Sequence, residues 1–166
     1  MPYLRTFAGN HQKTDFRQTM QYKVKIHILE LERGDYHTLV NGSVAGHRIR
    51  IVLDTGASHS CMDQGFARQI LPALQTAQHE GVTAGIGGDD FEVQIADVPD
   101  FRIGRFHLPF YPNMALIDFT YINQAYHRLR KKPLQMILGN DFFVKNRAVI
   151  HYEEGLLYFT VDKRKK

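Results

Sequence analysis

The chain of 166 residues contains one cysteine, Cys61, so no disulfide bond can form within it. None of its apolar runs approaches the ~20 residues that a membrane-spanning helix needs. The segment that begins Met1-Pro2-Tyr3 lacks the continuous apolar stretch of a secretory signal. Because a lone thiol suits a reducing compartment, we expect a cytoplasmic protein with no membrane partner.

Spacings typical of metal and cofactor sites are also missing. The nine histidines form no close-spaced ligand pair, and neither an HExxH motif nor a cysteine cluster occurs. The glycines of Gly85-Ile86-Gly87-Gly88 have the wrong spacing for a dinucleotide site, and no strand-to-helix turn surrounds them. We therefore expect no metal and no other cofactor.

Positive charge is in modest excess, with a formal net charge of +4 at pH 7. Much of this excess comes from two basic runs, at 128–132 and at 163–166. A terminal basic run is usually solvated, so we interpret 163–166 as a basic tail. The chain lacks the interleaved aromatic residues of a base-stacking platform, and we expect no nucleic-acid partner.

The apolar pattern predicts one domain that is mainly β. Residues 1–21 have no sustained period and read as a loosely ordered N-terminal arm, followed by a domain over 22–162. Alternating or short apolar runs predict strands at 22–28, 37–44, 47–53, 58–62, 91–95, 101–108, 114–119, 134–138, 147–152 and 156–161. Helices are predicted from 63 or 64 to 71 and over 120–132, with a short one capped by Asn140 or Asp141.

One motif can carry chemistry. Asp54-Thr55-Gly56-Ala57-Ser58 follows the apolar run 49–53, so a strand delivers one carboxylate into a tight turn. Such a tripeptide alone is ordinary turn chemistry. Two further segments accompany it: the glycine-rich Gly85-Ile86-Gly87-Gly88, about 30 residues later, and the apolar triplet Ile137-Leu138-Gly139.

In this order and spacing, the three motifs resemble those of the retropepsin-like aspartic peptidases, and more closely their stand-alone bacterial relatives than the viral enzymes. The resemblance covers residues 36–161. It implies a small closed acid-protease barrel with two or three short helices. It further implies that Asp54 is catalytic and that a set of neighbours supports its loop: Thr55, Gly56, Ile137, Leu138 and Gly139. Substrate-binding residues would be Ala57, Ser58, Gly85, Ile86, Gly87 and Gly88, the last four as a flap.

Acid-protease chemistry needs two carboxylates that share one proton and hold a water between them. The chain has one Asp-Thr-Gly, so the second carboxylate must come from a second copy of the chain. We therefore predict an aspartic endopeptidase that acts as a homodimer on extended peptide or protein substrates, with the water held between the two Asp54 side chains. The alternative is a catalytically silent retropepsin-fold binding or regulatory module.

Two residues near these motifs are interpreted as structural and not as catalytic. We interpret Asp141 as a helix N-cap and not as a second catalytic acid. Cys61 is interpreted as a small buried apolar residue.

The viral enzymes build their dimers partly from interleaved terminal strands, whereas this chain has about 50 residues before Asp54 and an inserted helix at 120–132. These additions would cover the dimer interface, extend it or block it.

Overall fold

The computed structural model describes residues 19–78 and 93–162 of the chain. Within them lie eleven strands and three helices. The strands are β1 (Thr19–Lys25), β2 (His27–Glu30), β3 (Tyr36–Val44), β4 (His47–Leu53), β5 (Cys61–Asp63), β6 (Ala77–Gln78), β7 (Gln94–Ile103), β8 (Phe106–Ile117), β9 (Met136–Leu138), β10 (Val149–His151) and β11 (Leu156–Asp162). The helices are α1 (Gln64–Ile70), α2 (Thr120–Arg128) and α3 (Asn140–Lys145).

Six strands close into a barrel in the order β3-β4-β9-β5-β8-β7. The ring closes where β7 pairs with β3, through Gly42 opposite Ile103 and Val44 opposite Phe101. Strand β2 extends the sheet beyond β3, and β6 pairs with β7. The expected mainly β, closed barrel with a few short helices is confirmed.

The hairpin of β3 and β4 shows why the sequence folds in this way. Its tip is Ala45-Gly46, and both residues have positive φ, 47° and 79°. Such two-residue turns match the right-handed twist of paired strands, so they set a tight register. Alternate residues of both strands then face the barrel interior, where Val40, Val44 and Ile51 are fully buried.

A separate three-stranded sheet joins the two ends of the described chain, in the order β1-β11-β10. Strands β1 and β11 pair antiparallel over their full length, from Thr19 opposite Asp162 to Lys25 opposite Leu156. Tyr22 stacks on Phe159 at a centroid distance of 5.2 Å. Because β1 begins at Thr19, the last three residues assigned to the loose arm belong to a sheet. Residues 1–18 and the tail 163–166 lie outside the described residues.

Several predicted boundaries were wrong. The run 101–108 is two strands, with the Gly104-Arg105 turn between β7 and β8. The turn shifts the buried positions from odd to even numbers, with Phe101 and Ile103 before it and Phe106 after it, and a single strand over 101–108 overlooks this shift. The strand predicted at 58–62 is β5, which starts at Cys61. Helix α2 ends at Arg128 and not at 132, since Arg130 has φ of 55°. The glycine-tipped hairpin at 85–88 lies outside the described residues.

Helix α2 packs on the outside of the barrel over a second apolar cluster. Tyr126 and Phe119 are buried there against Val52 of β4 and Leu134, which precedes β9. The Asn123 side chain fixes this approach, since it donates to the Leu134 carbonyl at 3.0 Å and accepts from the Leu134 amide at 2.8 Å. None of the helices in 19–78 and 93–162 has the length and apolar character that a membrane crossing requires.

Gly42→Ala tests the seam that closes the barrel. An added Cβ at Gly42 would lie 2.6 Å from the carbonyl oxygen of Arg102 and 2.9 Å from Cδ1 of Ile51. We expect the free energy of unfolding to fall by about 1–3 kcal/mol, as for other overpacked positions. Urea denaturation would measure the change. The control Ser43→Ala should lose no more than about 0.5 kcal/mol. Equal stability of the two variants would contradict the close packing at this seam.

Candidate active site

The Asp54 carboxylate lies where β4 leaves the barrel, in a turn held by its own side chain. Oδ1 of Asp54 accepts a hydrogen bond from the Gly56 amide at 2.8 Å, and the Ala57 amide donates to the Asp54 carbonyl at 3.2 Å. Asp54 and Ala57 are half-buried, whereas Thr55, Gly56 and Ser58 are exposed. The turn therefore presents its carboxylate at the surface in a fixed orientation.

A second segment of the chain, residues 138–141, runs beside the turn and binds its backbone. The Asp54 amide donates to the Leu138 carbonyl at 3.0 Å, and the Asn140 amide donates to the Ala57 carbonyl at 2.9 Å. The Asn140 side chain donates to the Thr55 carbonyl at 2.7 Å. These bonds attach the turn to the segment that begins at the end of β9.

Gly139 makes this approach sterically possible. A Cβ at this position would lie 2.7 Å from the His59 carbonyl carbon and 2.9 Å from the Ala57 carbonyl oxygen. Both are backbone atoms of the segment that contains the Asp54 turn, so they cannot move aside as a flexible side chain would. Only glycine lets residues 138–141 lie this close to the Asp54 turn.

A buried polar network lies directly beneath the turn, around the Ser60 hydroxyl. Ser60 Oγ donates to Asp141 Oδ1 at 2.7 Å and accepts from the Gly139 amide at 3.0 Å. The Ser60 amide also donates to Asp141 Oδ1, at 2.9 Å. Tyr111, from β8, donates to Ser60 Oγ at 2.9 Å. Burial raises the pKa of Tyr111, so its hydroxyl keeps the proton that it donates.

Cys61 follows this network and is chemically inert. The side chain is buried, as expected for a small apolar residue. Burial, together with the nearby charges of Asp54 and Asp141, raises the pKa of its thiol to about 12. Because the thiolate is the nucleophile, a thiol that stays protonated at neutral pH does not supply one.

The structure brings together two of the three predicted motifs. Strand β9 carries Ile137 and Leu138 between the strands on either side of the turn, with Leu138 opposite Leu53 of β4 and Ile137 opposite Cys61 of β5. The flap residues Gly85, Ile86, Gly87 and Gly88 lie outside the described residues. The functional roles assigned to these motifs remain predictions.

Four residues of the site were missed or misread from the sequence. Asp141 is not a helix N-cap, because α3 is capped at Gly139 and the Asp141 carboxylate instead accepts from Ser60. The Asn140 side chain binds the Asp54 turn and not a helix end. No sequence pattern indicates the contact between Ser60 and Tyr111, since they are 51 residues apart and meet only in the folded barrel.

Among the described residues, no group of three or more His, Cys, Asp or Glu side chains is arranged to hold a metal ion. The turn and its supports consist of the half-buried Asp54 carboxylate, backbone amides and a buried network of hydroxyls around the Asp141 carboxylate. These groups can hold a water and move protons.

The family model for the aspartyl proteases matches residues 40–142, most of the described barrel and the whole of the Asp54 site. The chain belongs to the aspartyl protease family. This match confirms the resemblance to aspartic peptidases that was inferred from the three motifs. The matched range begins in β3 and ends in α3, so it includes both the Asp54 turn and the segment that supports it.

The chain is similar to known proteins and to solved structures at low sequence identity. Protein DDI1 homolog 2 of Homo sapiens and of Mus musculus are each 24% identical over 119 residues, which is 71% of this chain and 26% of theirs. The chain thus spans about a quarter of the length of these relatives. A retropepsin-like aspartic protease from Rickettsia conorii has 14% identity and a TM-score of 0.47, covering 89% of this chain and 95% of that one. The retroviral protease-like domain of Ddi1 from Leishmania major has 17% identity and a TM-score of 0.47, covering 72% and 84%.

Ser60→Ala tests the network under the Asp54 turn. The variant removes one donor to the Asp141 carboxylate and leaves the Gly139 amide without its hydroxyl partner, so we expect a loss of about 1–3 kcal/mol in the free energy of unfolding. Ser58→Ala is the matched control, since Ser58 is exposed, and it should change stability by less than about 0.5 kcal/mol. Urea denaturation of both variants measures the difference. A Ser60→Ala variant as stable as the control would show that the network does not stabilise the turn.

Proposed function

We propose that this chain is an aspartic endopeptidase that acts as a homodimer, with Asp54 of each copy holding one water. The observation that carries the proposal is the Asp54 turn itself. Its carboxylate is oriented by the Gly56 amide, and the turn is bound from below by residues 138–141. Family membership supports this reading. The activity, the dimer and the substrate belong to the proposal.

The proposed reaction follows from the shared proton of the pair. Two carboxylates in near contact cannot both be ionised, so one carries a proton and the other is a base. The ionised Asp54 removes a proton from the water as it attacks the scissile carbonyl. The protonated Asp54 of the second copy donates to the developing oxyanion. A proton then passes to the leaving amine as the C–N bond breaks.

The arrangement of the chain ends favours a dimer that meets at the catalytic turns. Strands β1 and β11 already pair with each other within one chain. A dimer in which the two copies exchanged β1 or β11 would have to break this pairing. The exposed Thr55 and Gly56 remain accessible beside the carboxylate, so two turns can face each other across a two-fold axis.

The proposed substrates are extended peptides or proteins, bound between the catalytic turn and the predicted flap. Ala57 and Ser58 lie next to Asp54 and would contact the substrate backbone. The proposed compartment is the cytoplasm, because a reducing environment suits the free thiol of Cys61.

Asp54→Asn tests the catalytic assignment. The amide keeps an oxygen that can accept from the Gly56 amide, so fold and dimerisation should persist. An amide cannot share or transfer the proton, and we expect peptide cleavage to fall by about 10³-fold or more. Cleavage of a mixed peptide library, measured by mass spectrometry, is the readout. The control Asp35→Asn removes an exposed carboxylate in a turn and should retain full activity. Unchanged cleavage by Asp54→Asn would exclude Asp54 as the catalytic acid.

Mixing the wild-type chain with Asp54→Asn tests the dimer. Mixed dimers contain one carboxylate and should be inactive, so an equal mixture should retain about half of the activity that the wild-type chains have alone at saturating substrate. The same experiment with Asp35→Asn should raise the activity. Unchanged activity in the first mixture would show that one chain acts alone. A wild-type chain that stays monomeric in sedimentation and cleaves nothing would favour the silent binding module.

A further inference from the structure

A second surface of the barrel concentrates positive charge that the proposed peptidase reaction does not use. A groove of about 810 Å³ lies along β3, β4 and β7, and we call it the basic groove. Its described lining contains the four cationic residues Arg48, Arg50, Arg102 and Lys132 and no carboxylate. Its volume lies within the range of about 300–1,000 Å³ typical of ligand sites.

The strand register places three of these cations on the outer face of the barrel. Ser43 of β3 is paired with Arg48 of β4 on one side and with Arg102 of β7 on the other. Directly paired residues point to the same face of a sheet. The adjacent residues Ile49 and Ile103 are buried in the core, so the arginines face outward. The small Ser43 side chain leaves a trough between them.

Arg50 and Lys132 extend the positive charge along the same face. Arg50 lies two residues after Arg48 on β4, opposite Asn41 of β3. Its guanidinium donates to the Lys132 carbonyl, and its amide donates to Oε1 of Gln135 at 2.9 Å. These bonds hold the connection after α2 against β4, so Lys132 lies at the edge of the groove.

Little negative charge offsets these cations. Asp100 binds Arg102 at 2.8 Å and is shared with His107 at 2.9 Å. Within the part of the chain that the structure describes, no carboxylate lies within salt-bridge distance of Arg48, Arg50 or Lys132. Like charges held on one face repel, and an anionic ligand would relieve that repulsion.

We propose that the basic groove binds an acidic peptide segment of a protein partner. Guanidinium groups match carboxylates in paired hydrogen bonds. Arg48 and Arg102 lie two strands apart, about 9–10 Å between their backbones, which fits carboxylates spaced along a chain better than one compact anion. The described lining contains no aromatic side chain for base stacking, so an acidic peptide fits better than a nucleic acid.

The binding of fluorescein-labelled oligoglutamate, followed by anisotropy, tests the proposal. The Asp54→Asn chain is used throughout, so that the peptide is not cleaved. Binding is then measured independently of the proposed peptidase activity. Arg48→Gln/Lys132→Gln should weaken binding by about tenfold or more. Neither of these side chains makes a hydrogen bond in the described structure, so the fold should persist. Arg50 is left unchanged because it binds the Lys132 carbonyl.

The matched control is Arg33→Gln/Lys145→Gln, which removes the same charge at two exposed positions elsewhere. It should change the affinity by less than about twofold, and binding should weaken as salt is raised. Three results would overturn the proposal: no saturable binding by the Asp54→Asn chain, an equal loss in the control, or tighter binding of an oligothymidylate of equal charge. The last result would identify a nucleic-acid site.

Discussion

The contact between the Asp54 turn and residues 138–141 is the interaction on which the rest of the site depends. An acid at the end of a strand would move with its turn unless a second segment held the turn's backbone. Here the Leu138 carbonyl and the Asn140 amide hold it on one side, and the space that Gly139 leaves brings them close enough. A side chain at position 139 would fill that space and displace both the carboxylate and the segment that supports it.

The buried hydroxyl of Ser60 extends this constraint into the barrel. It joins the turn, the start of α3 and β8 through bonds to Gly139, Asp141 and Tyr111. A half-satisfied network of this kind would destabilise the fold, because a buried polar group without a partner loses its bonds to water. Each described member is satisfied, so the network fixes the turn's position relative to the barrel wall.

Helix α2 and the sheet that contains β1 and β11 lie outside the six-stranded barrel. Helix α2 covers an outer apolar face through Tyr126 and Phe119, and it also positions the connection that carries Lys132. Strands β1 and β11 pair with each other within one chain, in a sheet separate from that of the barrel. The barrel therefore presents two outward features, the Asp54 turn and the basic groove. Strand β4 carries both, with Arg50 and Asp54 about 13 Å apart along the chain at the usual strand rise.

The sequence alone determined the features that depend on local pattern. Alternating residues predicted most strands, Ala45-Gly46 predicted a hairpin, and the three motifs identified the family and the turn that holds Asp54. Tertiary structure decided what depends on distant residues. Tyr111 meets Ser60, and Arg102 joins Arg48 across Ser43, only because the barrel closes at the β3–β7 seam. Asp141 was misread for the same reason, since its partner Ser60 lies 81 residues away and no local pattern records a pairing over that separation.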